Sequence, residues 1–321
     1  MDVETIKRKI LELASSDTGE GLRKILLVYN PRSSKAKLVK AQVFEPLRGI
    51  PGVMLGKFEV QPTDVDDNAA QLAKILADGD VVIAAGGDGT ATIGLNGVML
   101  SGKDVRFSAL PFGNFNDMAR TLKLASGREI YPLEAQIDGG HYRYAVCYFT
   151  IGMFAESTEV FDHAKTREKL KQGNKGIFFS IRTLAFWYFK NKHKRFMPEF
   201  IERSEMSDAC GGLNGEKARG VSDYLAINGV SVAKMMKGRS DVVEDPAKFL
   251  STTGKLNGFF GLMKFMTKSI FRGIPGRISE MDQLIFVTPA CVEIQAEGEY
   301  KRLENVKKIV VKKAAKPVKI L

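Results

Sequence analysis

Between Asp80 and Thr90 the sequence reads DVVIAAGGDGT. Gly86, Gly87 and Gly89 carry no Cβ, so the backbone there is free to take positive φ and to approach a bulky group closely. Asp88 adds a carboxylate in the same turn. Thr90 is placed to cap the helix that follows, whose free N–H groups and dipole favour a phosphate. These residue types suit a phosphorylated ligand, although a ligand-free strand-to-helix turn uses the same ones and the turn alone leaves both readings open. Three other loops carry similar chemistry. Asn30-Pro31-Arg32-Ser33-Ser34 offers short polar side chains and backbone N–H groups, Gln61-Pro62-Thr63-Asp64 offers the Thr63 hydroxyl, and Phe112-Gly113-Asn114-Phe115-Asn116-Asp117 ends in a second carboxylate.

Each loop follows a strand-like run and precedes a helical pattern. KILLVYN (24–30), Val53 to Val60, Val81 to Gly86 and RFSALP (106–111) are the runs. The helices are Ala36 to Phe44, DDNAAQLAKILADG with Ala69, Leu72 and Ile75 on its apolar face, a helix through Leu100, and MARTLKL. This alternation predicts an α/β domain with a doubly wound, mainly parallel sheet whose loops converge on one rim, the edge where open α/β sheets bind ligands. From about Ile137 the pattern changes to alternating or β-branched runs, YRYAVCYFTIGMF, DYLAINGVSV, DQLIFVTP, CVEIQAEGEY and KKIVVKK. They predict a mostly antiparallel, β-sandwich-like second domain with one clear helix at Phe178–Lys194 and a loop or hairpin tip from Glu205 to Arg219. Asp241 to Arg277 gives no clear pattern. The expected division is a helical extension at 1–23 with Ile6, Ile10 and Leu13 at amphipathic spacing, the α/β domain at 24–137, the β-rich domain at 138–305, and a C-terminal strand at 306–321 returning to the first domain.

With 321 residues and 44% hydrophobic content the chain can bury a sizeable core, and 48 Lys and Arg against 37 Asp and Glu give a formal charge of +11. Anionic partners are favoured: nucleotide phosphates, nucleic acid or an anionic membrane. No recognised nucleic-acid module is present, so nucleic acid is not expected. Cys147, Cys210 and Cys291 have no zinc or disulfide spacing, and His141, His163 and His193 show no ligand spacing, which fits a reducing cytosol. The start of the chain is charged throughout, unlike a secretory signal. The apolar window Ile177 to Phe189 is too short to cross a bilayer and holds Arg182. FFSIRTLAFWYFKNKHKRF, with Phe178, Phe179, Phe186, Trp187 and Phe189 beside Lys190, Lys192, Lys194 and Arg195, suits an interfacial helix on anionic lipid, as does GFFGLMKFMTKSIFRG from Gly258. Core helices flanked by solvated lysines are the other reading of both.

Taken together, NPRSS at 30–34, Thr63, GGDGT at 86–90, PFGNFNDMAR at 111–120 and EGEY at 297–300 resemble the diacylglycerol kinase catalytic family. The similarity is closest to its small soluble bacterial branch, related to sphingosine kinases and more remotely to NAD kinases, and it is collinear from about Lys24 to Leu321. It implies ATP-dependent phosphorylation of a lipid hydroxyl, diacylglycerol-like or sphingoid-like, in a cleft between a nucleotide-binding domain and a β-rich acceptor domain. Carried over, Asn30, Pro31, Arg32, Ser33, Ser34, Thr63, Gly86, Gly87, Asp88, Gly89, Thr90 and Asn114 would hold ATP. Asp88, Asp117 and Asp138 (in QIDGG) would hold Mg²⁺, largely through water, in keeping with that ion's preference for oxygen ligands and retained waters. Glu299 would be the catalytic base, with Asp88 as the second catalytic residue. The implied setting is a cytoplasmic protein peripherally associated with an anionic membrane, with a homodimer as a further partnership. Three departures stand out. Asn114 and Phe115 replace the Thr and Gly of the family's GTGND loop, and bulk at Phe115 predicts a strained or narrowed phosphate loop. Glu297 replaces an Asp, and an Asp-Gly pair of a secondary structural metal site is missing from DPAKFLSTTGKLNGFF. Two further readings follow: a catalytically impaired kinase fold that binds nucleotide or lipid as a regulator, and a soluble-acceptor kinase such as NAD kinase, whose acceptor-binding motif has no clear counterpart here.

Overall fold

The computed structural model describes residues 2–15, 24–156, 200–205, 222–232, 236–238, 241–254 and 258–321, with Arg182, Ala185, Phe186 and Phe189. The expected helix at Phe178–Lys194, those four positions apart, and the hairpin tip beyond Glu205 lie outside the described residues. The chain forms two units, one of Met1–Pro132 with Ala315–Leu321 and one of Leu133–Ala314.

The first unit begins with α1 (Val3–Ser15) and β1 (Ile25–Tyr29). A helical stretch follows, running from α2 (Ala36–Val39) through a π-helical turn (Lys40–Phe44) into α3 (Glu45–Arg48). Then come β2 (Leu55–Glu59), α4 (Val65–Lys74), β3 (Val81–Gly86), α5 (Asp88–Ser101), β4 (Arg106–Pro111), α6 (Asp117–Leu124) and β5 (Glu129–Ile130). The sheet order is β2-β1-β3-β4-β17-β5, where β17 is Val318–Ile320. All neighbours are parallel except β17 and β5. β1 (ILLVY) and the first five residues of β3 (VVIAA) are buried, as unbroken apolar runs in a sheet covered on both faces must be. α5 is buried from Ala91 to Val98, which its Ala and Gly content allows at close helix–sheet spacing. Ile6 and Ile10 of α1 are buried against Ile25, Leu27 and Tyr29 of β1 and Ile83 of β3.

Two local expectations are corrected. The second strand starts at Leu55 rather than Val53, and α4 stops at Lys74, leaving Ile75 at its C-cap and exposed while Leu76 turns inward.

The second unit holds β6 (Leu133–Ile137), β7 (Gly140–Ala145), β8 (Tyr148–Ile151), β9 (Phe200–Glu205), β10 (Asp223–Ile227), the small pair β11 (Ser231–Val232) and β12 (Met236–Lys237), and β13 (Phe249–Gly254). After them come α7 (Gly258–Arg272), β14 (Arg277–Ser279), β15 (Met281–Ala296) and β16 (Glu299–Lys313). Among the described residues nine strands form one antiparallel sheet, ordered β14-β13-β10-β8-β15-β16-β6-β7 with β9 on β15. The stretch that gave no sequence pattern thus becomes β13, α7 and β14. β15 and β16 are joined by Glu297-Gly298 at φ 54° and 87°, the two-residue turn with both central residues left-handed that suits the twist of a hairpin. Val292, Ile294 and Ala296 of β15, with Phe149, Ile151, Tyr224 and Phe249, centre its core. β16 extends to Lys313, so the alternating lysine-rich stretch belongs mostly to this sheet, and only Val318–Ile320 pairs with β4 and β5.

Candidate active site

The loops after β1, β2, β3 and β4 leave the same end of the parallel sheet. From β1 the chain adds β2 on one side, then crosses to add β3 and β4 on the other, so the strand order reverses between β1 and β3. That topological switch point, flanked by the Asn30 loop and Gly86-Gly87, is where such sheets bind ligands.

Asp88 opens α5, and both its carboxylate oxygens are engaged by the loop after β4: Oδ2 accepts from the Asn116 backbone N–H at 2.9 Å and Oδ1 from that of Met118 at 3.3 Å. It therefore clasps the start of α6 and is more than a solvated turn residue. Thr90 does not cap α5. The helix begins at Asp88 with Gly87 at the N-cap and no side-chain cap, because the chain turns three residues earlier than the Thr90 reading requires. Thr90 instead packs beside Gly86, where a Cβ would meet its Oγ1 at 2.4 Å.

Gly87 and Gly113 bring two loops into backbone contact. A Cβ on Gly113 would lie 2.4 Å from the Gly87 Cα, so only glycine fits. The loop is locked by Asn116, whose Oδ1 accepts from the Gly113 N–H at 2.7 Å and whose Nδ2 donates to the Gly113 carbonyl at 3.0 Å. Asn116 takes φ 56°, the left-handed region that Asn tolerates. Strain expected at Phe115 is thus absent: Phe115 is not among the positive-φ residues, and the demanding backbone position falls one residue later. Asn114 is exposed at the loop tip.

Asp117 is buried and ion-paired with Arg120, whose guanidinium also donates to the Phe115 carbonyl. Burial and the neighbouring Asp117 charge push the Asp88 carboxyl up to about 6, against the two backbone N–H bonds and Arg120. Two crowded carboxylates of this kind fit a hydrated Mg²⁺, which relieves their repulsion through waters it keeps. Asp138 lies in the second unit at the β6–β7 turn with φ 49°, and its Oδ1 accepts from the backbone N–H groups of Lys307 and Lys308 at 3.0 and 2.8 Å. Among the described residues no three of His, Cys, Asp and Glu gather as direct metal ligands.

In the first loop, Asn30 Oδ1 accepts from the Arg32 N–H at 2.9 Å, and Arg32 Nη2 donates to the Val60 carbonyl at 3.3 Å, tying this loop to the one after β2. Ser33 Oγ accepts from the Lys35 N–H, while Pro31 and Ser34 are exposed. Thr63 is held by a residue that the motif reading passes over. Asn68, fully buried in α4, accepts from the Gln61 N–H at 2.8 Å and donates to Thr63 Oγ1 at 2.9 Å and to the Asp64 carbonyl at 2.8 Å. Its signal was an amide on the apolar side of the helix beside Ala69 and Leu72. Asn116, equally missed, was visible only as one Asn in the GNFND run at 113–117.

Glu299 opens β16, directly opposite Ala296, which in turn pairs with Phe149. Residues directly opposite share a face, so Glu299 stands half-buried on the sheet face that carries the apolar core. Glu297 plays a different part, buried in the turn and accepting from the Cys147 N–H.

Residues 24–148 match the family model of the diacylglycerol kinase catalytic domain. The match contains all four rim loops and supports a kinase-type function. Among solved structures, a candidate diacylglycerol kinase from Bacillus anthracis str. Sterne superposes with a TM-score of 0.61 at 17% identity, covering 93% of this chain and 97% of its own. A second structure, described as a diacylglycerol kinase from Bacillus anthracis str. Sterne, gives 0.59 at 17% identity over 90% and 94% of the two chains. These likenesses establish the two-domain fold. No curated protein matches the chain in sequence.

Proposed function

We propose that the protein is an ATP- and Mg²⁺-dependent kinase that phosphorylates a lipid hydroxyl of diacylglycerol or sphingoid type, presented at an anionic membrane surface. The observation that carries this reading is Asp88 at the first turn of α5, half-buried beside the buried Asp117 and clasping the fourth loop at the switch point of a matched kinase domain. In this reading the backbone N–H groups around Asn30–Ser34 and Gly86–Thr90 orient the ATP phosphates, aided by the α5 dipole. Asp88 and Asp117 hold Mg²⁺, which when bound offsets charge on the transferring phosphoryl group. Glu299 accepts the proton of the lipid hydroxyl as the new phosphorus–oxygen bond forms and the bond to the ADP oxygen breaks. The Asn114-Phe115 replacement, the feature that pointed to a non-catalytic relative, loses force because Phe115 is not held in the left-handed region.

The test is phosphate transfer from γ-labelled ATP to a panel of lipids in mixed micelles with Mg²⁺. A labelled lipid is expected, with transfer reduced at least about a hundredfold in Glu299→Gln and in Asp88→Ala. Retained nucleotide binding without any labelled lipid would overturn the reading in favour of a regulator. Labelled NAD in its place would favour the soluble-acceptor alternative.

A further inference from the structure

α7 presents two faces of opposite character. Leu262, Met266 and Ser269 are buried, and the Phe265 ring lies 4.9 Å from that of Phe154, which fixes the helix on its own unit. On the other side Phe260 and Phe271 are 83% and 75% exposed. Lys264, Thr267 and Lys268 are exposed with them, and Arg272 follows at the helix end. At about 100° per residue, positions 260, 264, 267, 268 and 271 fall within a stripe roughly 100° wide, and the two rings stand about 16 Å apart along the axis. Gly258 to Arg272 contains no Asp or Glu.

An exposed ring such as Phe271 in a basic stripe costs free energy in water. An aqueous anion would satisfy the cations and leave the Phe271 ring wet, and an apolar partner would satisfy that ring and strand the cations. An anionic bilayer surface serves both, with the rings among the acyl chains near the headgroups and the ammonium groups at lipid phosphates. Among the described residues no helix is long and apolar enough to cross a membrane, so attachment from the side is what this helix offers.

We propose that the exposed face of α7, through Phe260, Lys264, Lys268, Phe271 and Arg272, docks the protein on the anionic lipid surface from which its substrate is drawn. The assignment deepens the lipid-kinase reading and rests on it for the nature of the surface.

The test is co-sedimentation of the full chain with vesicles of phosphatidylcholine alone or with 30% phosphatidylglycerol (a ~30% loading chosen to give strong surface charge), at low and high salt. Wild type is expected to bind only the anionic vesicles and to be released by salt. Phe260→Ser/Phe271→Ser should weaken binding at least about tenfold, and Lys264→Glu/Lys268→Glu at least about thirtyfold. All four positions are exposed, so both variants should keep wild-type circular dichroism and still phosphorylate a short-chain acceptor dissolved below its micelle concentration. Variants that bind vesicles like wild type, wild type that ignores anionic vesicles, or substitutions that only dissociate a dimer would each overturn the proposal. Lost docking with retained short-chain activity sustains it. Docking through α7 without phosphorylation of any lipid would sustain the surface and reject the kinase reading, so the two failures are distinguishable.

Discussion

The contact between Gly87 and Gly113 is the tightest constraint on the candidate nucleotide site, and it makes a sharp prediction. Gly113→Ala places a methyl where the Gly87 Cα lies at 2.4 Å, and the neighbour is backbone, which cannot rotate away. The two loops must part, at a cost of about 2 kcal/mol or more, and the Asp88 clasp on Asn116 and Met118 should loosen with them. Thermal unfolding and nucleotide titration should both show the loss, and a wild-type nucleotide affinity would reject the idea that this approach shapes the site. Asn116 supports a graded test. Asn116→Ala removes both bonds to Gly113 and puts Ala at φ 56°, so a loss of about 2–4 kcal/mol is expected. Asn116→Gly loses the same bonds but suits the backbone, and should cost about half as much. Equal losses in urea unfolding would show that the left-handed conformation contributes nothing. In the sequence the glycines and Asp88 announced themselves by type, whereas Asn116 did not, because its role depends on a single dihedral angle and on a loop 28 residues away.

Elements were far more legible than the contacts between them. Unbroken apolar runs at β1, β3 and β4 and the helical spacing between them gave the parallel sheet and its rim of loops, since both depend on local pattern. The hairpin after Ala296 was missed, because Glu297-Gly298 lay inside CVEIQAEGEY, which reads as one strand-like run. Helix ends were read less well, as at Thr90 and Ile75, because termination depends on caps and on where the next strand must start. The Asp241–Arg277 stretch defeated periodicity because it joins a strand to a helix whose exposed face carries Phe260, Lys264, Lys268 and Phe271. Asn68 belongs to this scale too: a helix residue that shapes a loop. Replacing it with Ala leaves the Gln61 N–H without its partner and the Asp64 carbonyl with only the residue 68 N–H in a part-buried setting, so a loss of about 1 kcal/mol is expected. If Thr63 contacts ATP, KM for ATP should rise more than kcat falls, whereas Asn68→Asp, which keeps the acceptor for Gln61, should recover part of the stability. Unchanged KM in the destabilised Ala variant would separate Asn68 from the nucleotide.

At the scale of the whole molecule, the last residues of β16 carry the chain out of the second unit at Ala314, and there the protein buries a lysine. Lys313 Nζ donates to Asn228 Oδ1 and, at 2.6 Å, to the Val242 carbonyl. Burial pushes its pKa from 10.5 down to about 7, with the Asp245 charge opposing the shift. In the unfolded chain the ammonium keeps its proton up to about pH 10.5, while the folded protein gives it up near pH 7. Between these values the unfolded state binds one more proton, so folding stability rises with pH, by up to about 1.4 kcal/mol per pH unit from this group. Below pH 7 the folded state carries the full cost of a buried charge, and no slope from Lys313 remains. Lys313→Met removes the titration, and its absolute stability also reflects the lost donor to Asn228 and Val242. The informative quantity is therefore the slope. Urea unfolding at pH 7, 8 and 9 should show wild type gaining on Lys313→Met as pH rises, with other titrating groups cancelling in the difference. Parallel pH profiles would mean that the ammonium stays charged at its two oxygen partners, and that this internal cation is stabilised in place.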